Sequence, residues 1–397
     1  MDRLLWMPGH EVLVRDIVRA ENASLYDSRG RRYVDLESGV WCASVGHGHP
    51  RVLRALREQA ERIAHAGFSY AAPVVEEAAV EILSLLGMEG GRCVFLCSGS
   101  EAVEYGARSA RMIAEKPLLM TMADSYFGAY GDATARGAGS WFDLDWFPCA
   151  VCPHDGDCSD RCERWASIPF DRIGGFLFEP GSSSGLVRFP PRRLVQNIAR
   201  AVREGGGLVL VNEVTTGIGR TGAWFGHEHY GIAPDVVAMG KGLGAGYPVS
   251  ATAFSPVAAE RLGGRDVPYA QSHQNDPLGA AVAREVIRLI REEGLVERGR
   301  EIGAFLAHGL EEIRSRTDRI EEIRSRGLLI AVELRDGAGA PFTAGVHREL
   351  ARRGFLAARR PGRNVLRIDP PLTIERADVE AFLLAFEETL GGVKATG

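Results

Sequence analysis

Six short, mostly apolar runs between residues 94 and 254 constrain the fold of this 397-residue chain more than any other feature. Most are rich in Val, Leu, Phe or Met, and amphipathic or Gly-rich segments separate them. Because strands of a parallel sheet are buried on both faces, this alternation predicts a largely parallel α/β sheet with helical crossovers. The predicted strands are VFLC (94–97), LLMTM (118–122), GGFLFE (174–179), GLVLVNEV (207–214), VVAMG (236–240) and SATAF (250–254), and the predicted crossover helices are 50–66, 101–115 and 191–204.

The length of the chain and its two ends predict a second, smaller domain. A single hydrophobic core usually stops growing near ~250–300 residues, so this length favours two domains. After Pro277 the pattern changes to a long helix, further helices and short strands such as LLIAVEL, which is typical of an α+β unit. The opening segment ASLYDSRGRRYVDL predicts a hairpin that pairs with this C-terminal part. We expect residues 1–44 and 281–397 to form the small domain and residues 45–280 the large one.

Charge and hydropathy argue against several classes of partner. The chain has 47 Lys and Arg against 52 Asp and Glu, and a net charge of -5 provides no broad basic surface for nucleic acid. No apolar run approaches the ~20 residues that a membrane-spanning helix needs. The N-terminal stretch carries Asp2, Glu11 and Arg15 and lacks the pattern of a secretory signal. We therefore expect a cytoplasmic protein with neither nucleic acid nor membrane as a partner.

Lys241 is the first candidate for chemistry, because ligands of open α/β sheets lie at the carboxyl ends of the strands. It follows the run VVAMG in the loop GKGLGAGYP. A lysine that ends a buried strand is desolvated, which lowers its pKa and suits it to imine formation with a carbonyl cofactor. A loop lysine bonded to backbone carbonyls is the alternative. The loop lacks the Ser or Thr of a P-loop and the acidic residue of a dinucleotide fingerprint, so neither nucleotide motif applies.

Three other strand ends carry polar or aromatic residues. The segment CSGSE (97–101) leads into a helix whose N–H groups could hold a phosphate, although Ser-Gly-Ser also serves as a plain N-cap. Asn212, Glu213 and Val214 form the end of the fourth predicted strand, and TTGIGRTG (215–222) follows them. Tyr126 and Phe127 follow LLMTM, where an aromatic ring could stack on a planar heterocycle or fill the core.

The order of these sites resembles that of the class III pyridoxal-phosphate aminotransferases, which include the 4-aminobutyrate and ornithine aminotransferases and dialkylglycine decarboxylase. The likeness extends over nearly the whole chain. The segments that carry it are AENASLYDSRGRRYVDLESGVW, GHGHP, CSGSEAVEYGARSAR, FEPGSSSG, NEVTTGIGRTGAWFGHEHYGIAPDVVAMGKGLGAGYPVSA and NVLRIDPPLTI. The resemblance implies fold type I, an α/β fold whose large domain has a mostly parallel sheet of the seven-stranded type and whose smaller domain is α+β.

The resemblance also implies a role for each candidate residue. Lys241 matches the lysine that holds the cofactor as a Schiff base and moves protons once substrate has displaced it. Gly99 and Ser100 match the phosphate cradle, and Ser272 stands where the family has a Thr from the neighbouring subunit, which implies a homodimer with active sites at its interface. The other matches are Tyr126 and Val214 on the two faces of the cofactor ring, Glu179 near the site, Asn212 at the pyridine nitrogen, Thr215 near the phenolic oxygen, Arg367 for the substrate α-carboxylate, and Trp41 in the pocket wall.

Asn212 is the main departure from the family, which has an Asp at this position. A carboxylate keeps the pyridine nitrogen protonated, whereas a neutral amide cannot do so by charge, so we expect weaker carbanion stabilisation. A slower transaminase, a reaction that needs less charge delocalisation, and an enzyme that has lost turnover all fit this residue. Thr215 replaces a Gln and Phe127 a His, and Ser184 replaces a Glu that switches Arg367 in some members, which argues against the usual arginine switch.

Four clustered cysteines form the pattern C-x2-C-x5-C-x3-C on a polar loop: Cys149, Cys152, Cys158 and Cys162. Four thiolates could enclose a structural zinc ion or hold an iron–sulfur cluster. The spacing differs from that of a zinc ribbon, and two disulfides or four unligated thiols fit it as well. Metal binding is therefore a hypothesis, and we expect no catalysis by these cysteines.

We thus expect an enzyme that transfers an amino group from an amino acid donor to a keto acid or aldehyde acceptor, with pyridoxal phosphate passing through its pyridoxamine form. Racemisation or decarboxylation on the same cofactor is the alternative, because the carbon to which the proton returns decides the product. A catalytically impaired homologue that still binds the cofactor is a third reading, and Asn212 is the residue that favours it.

Overall fold

The computed structural model describes residues 3–393, apart from positions 8, 138, 153–155, 157, 160 and 338. The strands of this part of the chain are numbered in sequence order. They are β1 (Ile17–Glu21), β2 (Ser24–Asp27), β3 (Arg32–Asp35), β4 (Arg92–Leu96), β5 (Leu118–Met122), β6 (Trp141–Leu144), β7 (Ile173–Phe178), β8 (Leu208–Asn212), β9 (Val236–Met239), β10 (Ser250–Phe254), β11 (Ile320–Arg326), β12 (Leu329–Leu334), β13 (Phe355–Leu356), β14 (Ala358–Arg359) and β15 (Val365–Ile368).

Seven strands form a central sheet in the order β4-β10-β9-β8-β7-β5-β6. Strand β10 runs antiparallel to its two neighbours, and all other pairs in the sheet are parallel. Every residue of β5, β7, β8, β9 and β10 is buried, as expected of strands covered on both faces. The predicted mostly parallel, seven-stranded α/β sheet is confirmed.

Helices cover both faces of the central sheet. The alternation of side chains along β8 sends Leu208 and Leu210 into the core beneath the helix Gly99–Ala114, and Val209 and Val211 into the core beneath the helix Arg192–Glu204. The remaining α-helices with regular backbone angles in the described part of the chain are Pro50–Arg62, Pro73–Leu85, Asp132–Ala135, Glu163–Ala166, Pro256–Leu262, Pro277–Glu292, Leu295–Arg316, Pro341–Arg352 and Arg376–Gly392.

Two smaller four-stranded sheets accompany the central one. The first has the order β1-β2-β3-β13, and its N-terminal hairpin is joined in parallel to β13 from the other end of the chain. The second has the order β11-β12-β15-β14 and is antiparallel. The two ends of the sequence therefore fold together.

The helix Pro277–Glu292 packs against two helices of the N-terminal half, Pro50–Arg62 and Pro73–Leu85. Its apolar face shares one core with residues of β9 and β10. The helix that begins at Pro277, where the sequence pattern changes, therefore packs on the central sheet. No helix within the described ranges is both long and apolar enough to cross a bilayer.

The central sheet sets the location of the functional residues. Strands β4, β5, β7, β8 and β9 share one direction, so their carboxyl ends lie along one edge. The segments that follow these ends begin at Cys97, Ala123, Glu179, Glu213 and Gly240. These segments carry Gly99, Ser100, Tyr126, Glu179, Val214, Thr215 and Lys241, and Asn212 is the last residue of β8.

Candidate active site

Lys241 lies directly beyond β9 in a 3-10 turn, Lys241–Gly244, with a positive φ of 45°. Its Nζ donates a hydrogen bond of 2.7 Å to Thr215 Oγ1 and lies 4.3 Å from the centroid of the Trp41 ring. Burial lowers the pKa of Lys241 to about 8, although the nearby carboxylate of Glu179 acts to raise it. The amine is therefore still mostly protonated at pH 7, but a much larger fraction of it is neutral than for a lysine with the ordinary pKa of 10.5, and the neutral amine is the form that attacks a carbonyl.

The segment predicted as a phosphate cradle forms a tight turn at the start of the helix Gly99–Ala114. Ser98 Oγ caps this helix by accepting from the N–H of Glu101. A Cβ on Gly99 would lie 2.5 Å from Val214 Cγ1, so only glycine fits there. Ser100 Oγ accepts from the N–H of Ala129 at 3.0 Å, which links this turn to the loop after β5. The helix start and its glycine provide the backbone donors that an anion needs.

Asn212 and Glu179 form a buried hydrogen-bonded pair at the ends of β8 and β7. Asn212 Nδ2 donates to Glu179 Oε1 and to the carbonyl oxygen of Tyr126, each at 3.2 Å. Asn212 Oδ1 accepts from the N–H of Val214 at 3.1 Å. Burial raises the pKa of Glu179 to about 7, even though hydrogen bonds from Ser183 and from the N–H of Tyr126 favour the ionised form.

Tyr126 has an exposed ring beside this buried pair. Its backbone N–H donates to Glu179 Oε2 at 2.8 Å, so the loop is anchored while 47% of the residue remains accessible. Its neighbour Phe127 is 2% accessible and stacks on Trp141 at a centroid distance of 6.2 Å. Phe127 therefore belongs to the core, and Tyr126 offers its ring to a ligand.

Arg367 and Trp41 lie on the other side of Lys241. The Arg367 guanidinium carbon stands 3.8 Å from the centroid of the Trp41 ring, and both residues are buried. Two of its nitrogens, Nε and Nη1, are buried without a hydrogen-bond partner. Unsatisfied buried donors are costly, which marks a place where a polar ligand group is expected.

Two carboxylates near Arg367 were not predicted from the sequence. Asp369 Oδ2 lies 3.8 Å from Arg367 Nη1, and Glu37 Oε1 lies 3.8 Å from Nη2. Asp369 is two residues beyond Arg367, and this i, i+2 spacing would have been a signal for a shared face at the end of β15. Glu37 comes from the far end of the chain, and no local pattern links it to Arg367.

Two other serines named in the sequence lie outside this cluster. Ser272 is exposed in the turn before the helix Pro277–Glu292. Ser184 Oγ donates to Ser182 Oγ at 3.4 Å, and Ser182 in turn donates to Asp124. The Ser184 side chain therefore offers no counter-ion to Arg367.

The four clustered cysteines line one cavity of about 390 Å³. No disulfide joins any of the seven cysteines. In the part of the chain that the structure describes, three or more metal-ligand atoms come within 4.8 Å of one another only at His65, His273 and Asp276. The metal prediction for Cys149, Cys152, Cys158 and Cys162 is therefore not supported by the geometry, since tetrahedral zinc needs closely grouped sulfurs. His154, two residues after the second cysteine, lies outside the described residues.

Comparisons with known proteins agree on one family. The family model Aminotransferase class-III matches residues 6–139 and 154–390. The leucine/methionine racemase of Thermococcus litoralis is 29% identical over 404 residues, covering 95% of this chain and 90% of the relative. The acetylornithine aminotransferase of Methanosarcina mazei is 30% identical over 382 residues, covering 96% and 92%.

Solved structures give the same result. The acetylornithine aminotransferase of Elizabethkingia anophelis superposes with a TM-score of 0.82 at 25% identity and covers 94% of this chain and 93% of its own. The fold is therefore type I, as expected from the sequence. From the match to the family over nearly its whole length, we conclude that this chain belongs to the class III aminotransferases, which are pyridoxal-phosphate-dependent enzymes.

Proposed function

We propose that this enzyme transfers an amino group between an amino acid donor and a keto acid or aldehyde acceptor, with Lys241 as its catalytic residue. The observation that carries the proposal is a desolvated amine, with a pKa of about 8, beside a glycine turn at a helix start. The backbone of Gly240, which precedes Lys241, lies against the glycine turn. A Cβ at Gly240 would be only 3.3 Å from Gly99 Cα. When bound, pyridoxal phosphate supplies the electron sink for the carbanion formed on the substrate.

The residues present fit this cofactor. The turn at Gly99 and Ser100 would receive the phosphate, with Ser272 of a second subunit as a further donor in a homodimer. Tyr126 and Val214 would enclose the ring, because one is an exposed aromatic side chain and the other an aliphatic side chain packed beside Gly99. Asn212, with Glu179 behind it, would face the pyridine nitrogen, and Thr215 would lie beside the phenolic oxygen.

Side chains of the protein bind the substrate and transfer its proton. Arg367 binds the carboxylate of the donor through Nε and Nη1, which have no hydrogen-bond partner in the protein, and Trp41 fixes the plane of the guanidinium. Lys241 Nζ accepts the proton that leaves the donor and returns it. Thr215 Oγ1, at 2.7 Å, orients this amine for the transfer.

Racemisation is the second candidate reaction, because a relative that matches 95% of this chain is a leucine/methionine racemase. Lys241 could return the proton to the carbon from which it came, and none of the residues above would have to change. Incubation of one enantiomer without any keto acid separates the reactions: a transaminase stops after one half-turnover, whereas a racemase continues to a racemic mixture. Sustained racemisation would overturn the proposed transfer.

Three further expectations remain proposals. We infer a cytoplasmic enzyme divided into a small domain, 1–44 with 281–397, and a large domain, 45–280. The hypothesis of zinc or an iron–sulfur cluster at the four-cysteine loop rests on the sequence spacing alone. Metal analysis of purified protein tests it, and less than about 0.1 metal per chain would exclude it, since a structural site is fully loaded.

A further inference from the structure

Two histidines and an aspartate meet where one helix ends and another begins. The helix Pro50–Arg62 packs against the helix Pro277–Glu292. His65 lies three residues beyond the end of the first helix, and His273 and Asp276 lie just before the start of the second. The fold therefore brings His65 to Asp276, although 211 residues separate them in the sequence.

The carboxylate of Asp276 is hydrogen-bonded to both imidazoles. His65 Nδ1 lies 3.1 Å from one carboxylate oxygen, and His273 Nδ1 lies 3.1 Å from the other. The centroids of the two rings are 4.7 Å apart. One ligand atom from each of the three side chains lies within 4.8 Å of the other two, a grouping that occurs at no other place among the residues that the structure describes.

Neither the helix nor the stability of the surface accounts for this arrangement. Asp276 is the N-cap residue of the helix Pro277–Glu292, yet its side chain makes no capping hydrogen bond. The side chains of His65 and His273 are 43% and 55% exposed, and contacts between exposed charged groups contribute little to stability. The carboxylate is therefore directed to two imidazoles instead of to its own helix.

The three side chains form a ligand set for a transition metal. Zinc and its neighbours bind imidazole nitrogen together with carboxylate oxygen, whereas magnesium and calcium prefer oxygen alone. Zinc holds such nitrogens at ~2.0–2.1 Å, so a tetrahedral site needs ligand atoms roughly 3.4 Å apart. Because both imidazoles are exposed, they can move the ~1 Å toward each other that this spacing requires.

The surroundings of the cluster suit a bound ion. The backbone of the turn is held apart from the cluster, because Asn275 makes two hydrogen bonds of 2.9 Å to the backbone of Phe95 in β4. A cavity of about 150 Å³ beside His273 and Asp276 has room for water as a fourth ligand. The turn can thus present its side chains without being rebuilt.

We propose that His65, His273 and Asp276 bind one zinc ion per chain. The ion replaces the two hydrogen bonds with coordinate bonds and ties the loop 63–72 to the turn 271–276. This turn includes Ser272, so the ion also restrains the segment that is expected to reach the neighbouring subunit. The site uses none of the residues assigned to the cofactor, and it does not depend on the reaction that the enzyme catalyses.

Calorimetric titration of untagged, metal-stripped holoenzyme with zinc chloride tests the site. His65→Gln and His273→Gln each remove one ligand and keep a polar side chain. We expect each to weaken zinc binding at this site by about tenfold or more, because loss of an outer-shell partner alone costs 10–100-fold. His308→Gln is the matched control, since His308 is an exposed imidazole 3.3 Å from the carboxylate of Glu312 and has no third ligand.

The comparison also separates this site from the four-cysteine loop. Zinc bound by those cysteines would be the same in all four proteins, so the difference between them belongs to the histidine site. Hydrogen–deuterium exchange adds a local readout: zinc should slow exchange in the turn 271–276 of the wild type and of His308→Gln, but not of His65→Gln. A zinc affinity of either ligand variant within about twofold of the wild-type value, or no effect of zinc on exchange in this turn, would overturn the proposal.

Discussion

Asn212 donates both of its amide hydrogens to protein oxygens, one on Tyr126 and one on Glu179. Its Oδ1 already accepts one hydrogen bond and retains a second lone pair. The amide is therefore oriented to accept a hydrogen bond from a ligand rather than to donate one. The negative charge that an Asp would carry at position 212 is instead carried by Glu179, the hydrogen-bond partner of Asn212. Because the pKa of Glu179 is raised to about 7, only part of this charge is present near neutral pH.

Asn212→Asp is expected to speed removal of the donor Cα proton about tenfold, because a carboxylate holds the ring nitrogen protonated. The new charge would lie about 3.2 Å from Glu179, so we also expect the pKa of Glu179 to rise above 7. Exchange of the Cα proton for deuterium, followed by NMR, measures the rate. Asn197→Asp, on the helix Arg192–Glu204 and away from the site, is the control, and equal rates in the two variants would remove this account of Asn212.

The pKa of Lys241 predicts how the cofactor-free protein takes up pyridoxal phosphate. The neutral amine is the attacking form, and burial lowers its pKa from 10.5 to about 8. The uptake rate should therefore rise with pH through about 8 and level off above it, as followed by the visible absorption of the bound cofactor. A rate that continues to rise toward pH 10 would show a lysine with an ordinary pKa.

At the scale of elements, the segment Ser38–Trp41 holds the pocket wall in a left-handed turn. The φ angles of Ser38, Gly39, Val40 and Trp41 are 50°, 53°, 60° and 66°. Left-handed backbone is unfavourable for residues with a Cβ, so the surroundings must impose it. Arg220 Nη2 donates to Ser38 Oγ at 3.3 Å, and Ser38 Oγ donates to the carbonyl oxygen of Asp369 at 2.5 Å. These bonds connect the turn to the strand end that carries Arg367.

Gly39→Ala tests this turn. Its new Cβ would have space, since the nearest atom is His47 Cε1 at 3.6 Å, so the effect comes from the positive φ. We expect a loss of about 1–2 kcal/mol in the free energy of unfolding, measured by denaturant titration. Gly264→Ala meets no atom within 4 Å at an unstrained position, and it should change stability by less than about 0.5 kcal/mol. Equal stabilities would argue against a strained turn.

The sequence predicted those elements whose pattern is local. Periodicity identified six strands of the central sheet, but it missed the edge strand β6, which has four residues and an exposed Asp143. It did not indicate that β10 runs antiparallel, because strand direction depends on the connections. The left-handed turn at Ser38 was also missed, since its partners are distant in sequence, such as Arg220, 182 residues away. Lys241, Gly99 and Asn212 were found because they follow apolar runs, whereas Glu37 meets Arg367 only through the tertiary fold.

At the scale of the whole molecule, the proposed homodimer makes each active site depend on two chains. If Ser272 serves the neighbouring site, a mixture of Lys241→Ala and Ser272→Glu subunits should recover activity that neither variant has alone. Random reassociation would restore about a quarter of the wild-type sites, because half of the dimers are hybrids with one intact site. Activity after mixing and refolding measures this. Absence of recovery, with hybrid dimers verified by native mass spectrometry, would place Ser272 in its own site or outside the site.

The central claim is that one amine, Lys241 Nζ, forms the covalent bond to the cofactor. Borohydride reduction of the holoenzyme followed by peptide mass spectrometry tests it most directly. We predict that the phosphopyridoxyl mass appears on the peptide that contains Lys241 and is lost in Lys241→Arg. An unmodified Lys241 in fully loaded enzyme, or the same mass on Lys116 instead, would contradict the account.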